Sequence, residues 1–101
     1  MQTILVADDQ KTFREAICAK LRLSGFKTLE ASTGMEVLKL QETHQPDLIL
    51  LDVDMPEMDG FETCRILSQT TDAPVLFLTG MADLRDQEKG FDLNAVGYIT
   101  K

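Results

Sequence analysis

The sequence has no tryptophan, one tyrosine and three prolines, and its two cysteines, Cys18 and Cys64, stand far apart. Without a CxxC spacing they suit neither a zinc ligand pair nor a redox dithiol, and they read as buried thiols in a reducing compartment. Basic residues are scarce. Ten Lys and Arg stand against seventeen Asp and Glu, for a net charge of −7. A nucleic-acid-binding face needs clustered Lys and Arg to neutralise phosphates, which excludes direct nucleic-acid contact by this segment. No apolar run approaches the roughly 18 residues of a membrane span. The N-terminus passes from Thr3 directly into Ile4-Leu5-Val6, without the basic region and long apolar core of a signal peptide. The expected location is the cytoplasm, with no membrane contact. The only histidine, His44, lies in a polar Glu-Thr-His-Gln-Pro stretch with no nearby partner, and reads as plain surface.

What is present is an alternation that fits one domain over residues 1–101, with 44% hydrophobic residues to build its core. Apolar runs fall at Ile4–Ala7, around Phe26–Ala31, at Leu48–Leu51, at Val75–Leu78 and around Tyr98–Ile99. The unbroken runs Leu48–Leu51 and Val75–Leu78 suit strands buried on both faces of a parallel sheet. Helical patterns lie between them. Thr12 and Glu15 have capping-box spacing, with Phe13, Ile17 and Leu21 following at helical intervals, and Ser24-Gly25 ends that helix. Thr33 and Glu36 repeat the capping spacing before Val37, Leu38 and Leu40, and Pro46 ends that segment. Weaker helices fit Phe61–Ser68 and Asp83–Leu93. The order β-α-β-α-β-α-β-α-β predicts a doubly wound, parallel five-stranded α/β sheet.

The polar residues carry the functional signal. Asp8 and Asp9 directly follow the first strand, Asp52 the third and Thr79 the fourth, and Lys101 closes the fifth. In a parallel sheet these ends share one edge, where ligands bind near the switch point of strand order. Gathered carboxylates repel one another, and a hard divalent cation such as Mg²⁺ relieves the repulsion while leaving positions open for phosphate oxygens. A carboxylate can attack phosphorus to give an aspartyl-phosphate. Lys101 would then pair with phosphoryl oxygens and the Thr79 hydroxyl would donate to another. Any single Asp after a strand is as readily a helix cap or turn residue. Independent caps, however, have no reason to complete a metal-phosphate set. Tyr98 reads equally as core or edge packing.

These residues resemble the receiver domains of two-component response regulators. The resemblance spans the whole chain and rests on four blocks: Ile4-Leu5-Val6-Ala7-Asp8-Asp9, Leu51-Asp52-Val53-Asp54-Met55-Pro56-Glu57-Met58-Asp59-Gly60, Phe77-Leu78-Thr79-Gly80, and Gly97-Tyr98-Ile99-Thr100-Lys101. The spacings match too, with 43 residues from Asp9 to Asp52 and 22 from Thr79 to Lys101. The resemblance implies a flavodoxin-like fold with strand order 2-1-3-4-5. It implies that Asp52 is the phosphoacceptor, that Asp9 and Asp52 bind Mg²⁺ directly (Mn²⁺ as a substitute), that Asp8 acts through water and that the Asp54 backbone carbonyl completes the set. Lys101 would hold the phosphoryl group, Thr79 would move toward it, and Tyr98 would follow Thr79 and change a surface read by partners. The donor would be a phosphohistidine on a sensor histidine kinase or a histidine phosphotransfer protein. The output would be a C-terminal domain or a downstream protein. Such a module is not a metabolic enzyme; it catalyses only its own phosphorylation and dephosphorylation. Gly80 and Asn94 stand where the family commonly has Ala and Gly, and Val96-Gly97 replaces a more acidic pair.

Leu48–Asp54 also resembles the first motif of haloacid-dehalogenase-type phosphatases, with Asp52 as nucleophile and Asp54 as acid/base. Those enzymes place that motif near the start and an acidic motif after the lysine, whereas here Asp8-Asp9 come first. A flavodoxin-like electron carrier is disfavoured because two aspartates after the first strand would repel a flavin phosphate. The family's fifth helix is missing, so the receiver domain is expected to be C-terminally incomplete. One sheet face beside the first helix should then be partly bare, including one side of the strand holding Ile99, and the 101-residue chain should be unstable or self-associate.

Overall fold

Each apolar run forms a strand and the strand pairs are all parallel; between the first four strands helical crossovers return the chain to the same end of the sheet. The computed structural model describes residues 2–79 and 95–100. Its strands are β1 (Thr3–Ala7), β2 (Lys27–Ala31), β3 (Leu48–Asp52), β4 (Val75–Thr79) and β5 (Ala95–Thr100). Helices α1 (Lys11–Leu23), α2 (Gly34–His44) and α3 (Gly60–Leu67) connect the first four. The sheet order is β2-β1-β3-β4-β5, as the resemblance implies. The helix expected over Asp83–Leu93, together with Gly80, Asn94 and Lys101, lies outside the described residues.

The register sorts side chains into two layers. Ile4 pairs with Leu48 and Val6 with Leu50, and these pack with Leu78 beneath Phe13, Ile17, Cys18 and Leu21 of α1. The opposite face carries Leu5, Ile49, Leu51, Val75 and Phe77, covered by Val37 of α2 and by Cys64 and Leu67 of α3. Cys18 and Cys64 are thus buried thiols in opposite layers. Burial, and secondarily the charge of Glu30, pushes the Cys18 thiol up. Tyr98 pairs with Phe77 in register and stacks on its ring at 5.4 Å, while Ile99 pairs with Leu78 and so faces the α1 layer. Of the bare patch expected there, the described residues show one member. Ile99 is 42% exposed, but Leu78 and Leu50 on neighbouring strands are buried at 1% and 5%. Exposed Val96 lies at a register shift between β4 and β5.

The helix ends show what local sequence specified. Gly25 adopts φ +95, and Phe26 and Gly25 donate to the Leu21 and Arg22 carbonyls, closing α1 in a Schellman motif. Thr33 caps α2 by accepting from the Glu36 amide at 3.2 Å. Thr33→Ala should therefore cost about 1 kcal/mol in a urea melt; a change within error would show that the cap is redundant. The Thr12/Glu15 capping box does not form. α1 starts at Lys11, with Gln10 as its N-cap and no side-chain cap, because the Asp8 carboxylate accepts the Gln10 amide and turns the chain into the helix early. α3 runs one residue earlier than its apolar pattern suggests, because Asp59 caps it through the Glu62 amide.

Candidate functional site

The carboxyl edge of the sheet gathers the acidic residues. Ala7 pairs with Leu51, so Asp8 and Asp52, each one residue further on, stand side by side across the boundary of β1 and β3. That boundary is where the strand order reverses, since the chain leaves β1 toward β2 on one side and reaches β3 on the other. Asp8 and Asp52 are buried and Asp9 is exposed. One carboxylate oxygen from each of Asp8, Asp9 and Asp52 lies within 4.8 Å of the others. Two oxygens sharing an ion at about 2.1 Å can be about 4.2 Å apart at most. The donor set therefore fits a hard divalent cation after a small adjustment, which the exposed Asp9 side chain can make.

Backbone contacts hold these groups in place. The Asp8 amide donates to the Ala31 carbonyl on β2, and the Asp8 carboxylate accepts from Gln10 at 2.9 Å. The Val53 amide donates to Leu78 on β4, fixing the chain just past Asp52. Asp52 Oδ1 accepts the Asp54 amide at 3.2 Å. The loop after β3 is anchored by buried Val53 and Met55 and passes through Glu57 at φ 69, a left-handed conformation that costs a non-glycine residue energy. It returns so closely that the Gly60 amide donates to the Val53 carbonyl at 2.8 Å. A Cβ at Gly60 would lie 2.9 Å from Val53 Cα and would also collide with the Asp52 carbonyl oxygen. Only glycine lets α3 begin this close to Asp52 and Val53.

Of the residues predicted for the site, Asp8, Asp9 and Asp52 come together and Thr79 is buried at the end of β4, one residue past Leu78, the partner of Asp52. Asp54 is exposed two residues beyond Asp52. Tyr98 is half-buried against Phe77. Lys101 lies outside the described residues, while His44 is exposed, as expected. Sequence reasoning missed Arg14 and Glu30. Arg14 Nη1 donates to the Asp8 carbonyl at 2.8 Å, and its Nε donates to Glu30 at 2.9 Å.

An α/β domain with a 2-1-3-4-5 parallel sheet and an acidic cluster at its switch point is a flavodoxin-like receiver fold. The chain belongs to the response regulator receiver domain family, whose profile matches residues 4–101. It is 36% identical over 104 residues to the DNA-binding dual master transcriptional regulator RpaA of Synechocystis, a match covering all of this chain and 43% of that protein. The chain spans about two fifths of the length of the curated relatives it matches. Among solved structures it is similar to a response regulator receiver domain protein from Clostridium thermocellum (TM-score 0.93, 29% identity, covering 100% of this chain and 82% of that one). It is also similar to chemotaxis protein CheY4 of Vibrio cholerae (TM-score 0.90, 31% identity, covering 100% and 87%). The chain is thus a signalling domain of two-component systems, and the phosphatase alternative is not supported. Among the described residues no helix is long and apolar enough to cross a membrane.

Proposed function

We propose that this domain receives a phosphoryl group on Asp52, with Asp8 and Asp9 holding Mg²⁺ beside it. The observation that carries this reading is the trio of carboxylate oxygens within 4.8 Å at the switch point, with Asp52 buried next to the end of β4. When bound, Mg²⁺ supplies charge neutralisation that lets an anionic carboxylate approach an anionic phosphoryl group. An Asp52 oxygen attacks phosphorus, the bond from phosphorus to the donor imidazole breaks, and the imidazole leaves on the donor protein. The Asp54 amide steadies the attacking carboxylate, and the Asp54 carbonyl would help hold the metal. The Thr79 hydroxyl donates to a phosphoryl oxygen from the end of β4, and Lys101 pairs with another. Tyr98, stacked on Phe77 beside Thr79, passes the change to the surface near β5. The donor is a sensor histidine kinase or a histidine phosphotransfer protein. A DNA-binding output, as in the Synechocystis relative, belongs to a segment other than this acidic one. The module turns over only its own phosphoryl group.

Acetyl phosphate with Mg²⁺ should add one phosphoryl group per chain by intact-mass analysis, and excess chelator should prevent it. Asp9→Ala should lose most of the Mg²⁺ affinity because a ligand and a negative charge go together. Lys101→Ala should bind Mg²⁺ as well or better, since a nearby cation is removed. Full uptake in chelator, or equal loss of Mg²⁺ in both variants, would overturn the reading.

A further inference from the structure

We propose that Arg14 and Glu30 form a positioning clamp that sets Mg²⁺ affinity by fixing the peptide between Asp8 and Asp9. The proposal rests on the assignment of Asp8, Asp9 and Asp52 as the metal site. The Asp8 carbonyl oxygen lies in the planar unit that joins Asp8 to Asp9. Whatever holds that oxygen restrains the peptide plane and so the position of the Asp9 Cα from which the side chain departs. Arg14 Nη1 holds it at 2.8 Å from α1. The guanidinium is itself held by its Nε bond to Glu30 at 2.9 Å. Glu30 pairs in register with Val6, which places it on the α1 face of the edge strand β2. The neighbouring residue, Ala31, accepts the Asp8 amide through its carbonyl at 3.0 Å. Both ends of the Asp8 residue are therefore tied, the amide to β2 and the carbonyl to α1, and Glu30 joins the two ties.

The contact is built rather than incidental. The Arg14 side chain is only 14% exposed, and its rigid planar fork makes two bonds at once, which a lysine ammonium on a flexible stem cannot reproduce. Asp9 is the exposed member of the trio, while Asp8 and Asp52 are held by burial, so its placement is the part left for a clamp to decide. Groups that orient a metal's ligands commonly change its affinity about tenfold or more when removed.

Charge and position make opposite predictions here. If Arg14 acted only as a nearby cation, removing it would tighten Mg²⁺ binding. As a clamp, its removal weakens binding. Mg²⁺ titration by calorimetry, with acetyl phosphate uptake at limiting and saturating Mg²⁺, separates the two. Arg14→Gln should raise the Mg²⁺ Kd about tenfold, with the uptake rate at saturating Mg²⁺ within about twofold, since ions at high concentration restore the same arrangement. Arg14→Lys should recover part of the loss. Glu30→Gln should shift affinity the same way by less, and adding it to Arg14→Gln should cost little more, because it acts through the arginine. Unchanged or tighter Mg²⁺ binding in Arg14→Gln, with Asp9→Ala still defective, would overturn the clamp and leave the site standing. So would a parallel loss of affinity, saturating rate and cooperative melting in both Arg14→Gln and Glu30→Gln. Normal Mg²⁺ binding in Asp9→Ala would instead overturn the metal assignment on which the clamp depends.

Discussion

Asp52→Asn should reduce phosphoryl uptake from acetyl phosphate to background while leaving the fold intact. The amide keeps the volume of the carboxyl group and still offers one oxygen to the Asp54 amide, which now donates to Asp52 Oδ1 at 3.2 Å. What it loses is the anionic oxygen proposed to attack phosphorus and a negative charge proposed to help hold the cation. The neighbouring aspartates are poor substitutes. Asp8 is committed to the Gln10 amide, and Asp9 is exposed at the rim. The variant should melt at or above the wild-type midpoint, because replacing a buried carboxylate among others by a neutral amide relieves repulsion. Uptake by the variant at the wild-type rate, in intact-mass time courses, would mean that another residue is the acceptor.

The largest stability effect should come from Phe77→Ala. Phe77 is fully buried on β4 and meets the Phe61 ring at 5.0 Å and the Tyr98 ring at 5.4 Å. It thereby joins α3, β4 and β5 on one sheet face. Truncation removes most of an aromatic side chain and leaves a cavity that a rigid sheet cannot close, at a cost of about 3–5 kcal/mol. Typical domains have about 5–15 kcal/mol in total, so the variant should unfold at far lower urea. Tyr98 would also lose the surface it stacks on, and phosphorylation should then perturb Tyr98 less than in the wild type. A midpoint shift worth less than about 1 kcal/mol would show that the aromatic trio is not the core of that face.

Much of this architecture was legible in the residues because α/β alternation writes strongly on a sequence. The runs Leu48–Leu51 and Val75–Leu78 became β3 and β4 with one residue added to each, since a strand buried on both faces has no polar alternation to blur it. The strand order was different in kind. Periodicity is silent on which strands are neighbours, and the order 2-1-3-4-5 was available only through resemblance. β5 was under-read. It begins at Ala95, but Gly97 and the register shift beside it weaken the apolar pattern before Tyr98. The Thr12/Glu15 box failed because capping spacing is a local signal, and the Asp8 carboxylate had already turned the chain at Gln10.

The site divides along the same line. Asp8, Asp9, Asp52 and Thr79 were visible because each directly follows an apolar run, and strand ends of one polarity share an edge. Gly60 was visible as part of a motif, but its reason was not; that needs the close return of the loop onto Val53. Arg14 and Glu30 left no signal. They sit sixteen residues apart in different elements, and only the register of β2 against β1, with α1 folded over it, brings them together. Contacts set by tertiary packing rather than by periodicity or spacing are the ones a lone sequence hides.

The central claim is that one aspartate, buried at the end of β3, takes the phosphoryl group in preference to its neighbours. Peptide mapping by tandem mass spectrometry, after acetyl phosphate treatment with Mg²⁺ and reductive trapping of the acyl phosphate, tests it directly. The modification should fall on Asp52 alone, with Asp8, Asp9 and Asp54 unmodified, and should vanish in chelator. Modification of Asp8, Asp9 or Asp54 with Asp52 untouched would contradict it.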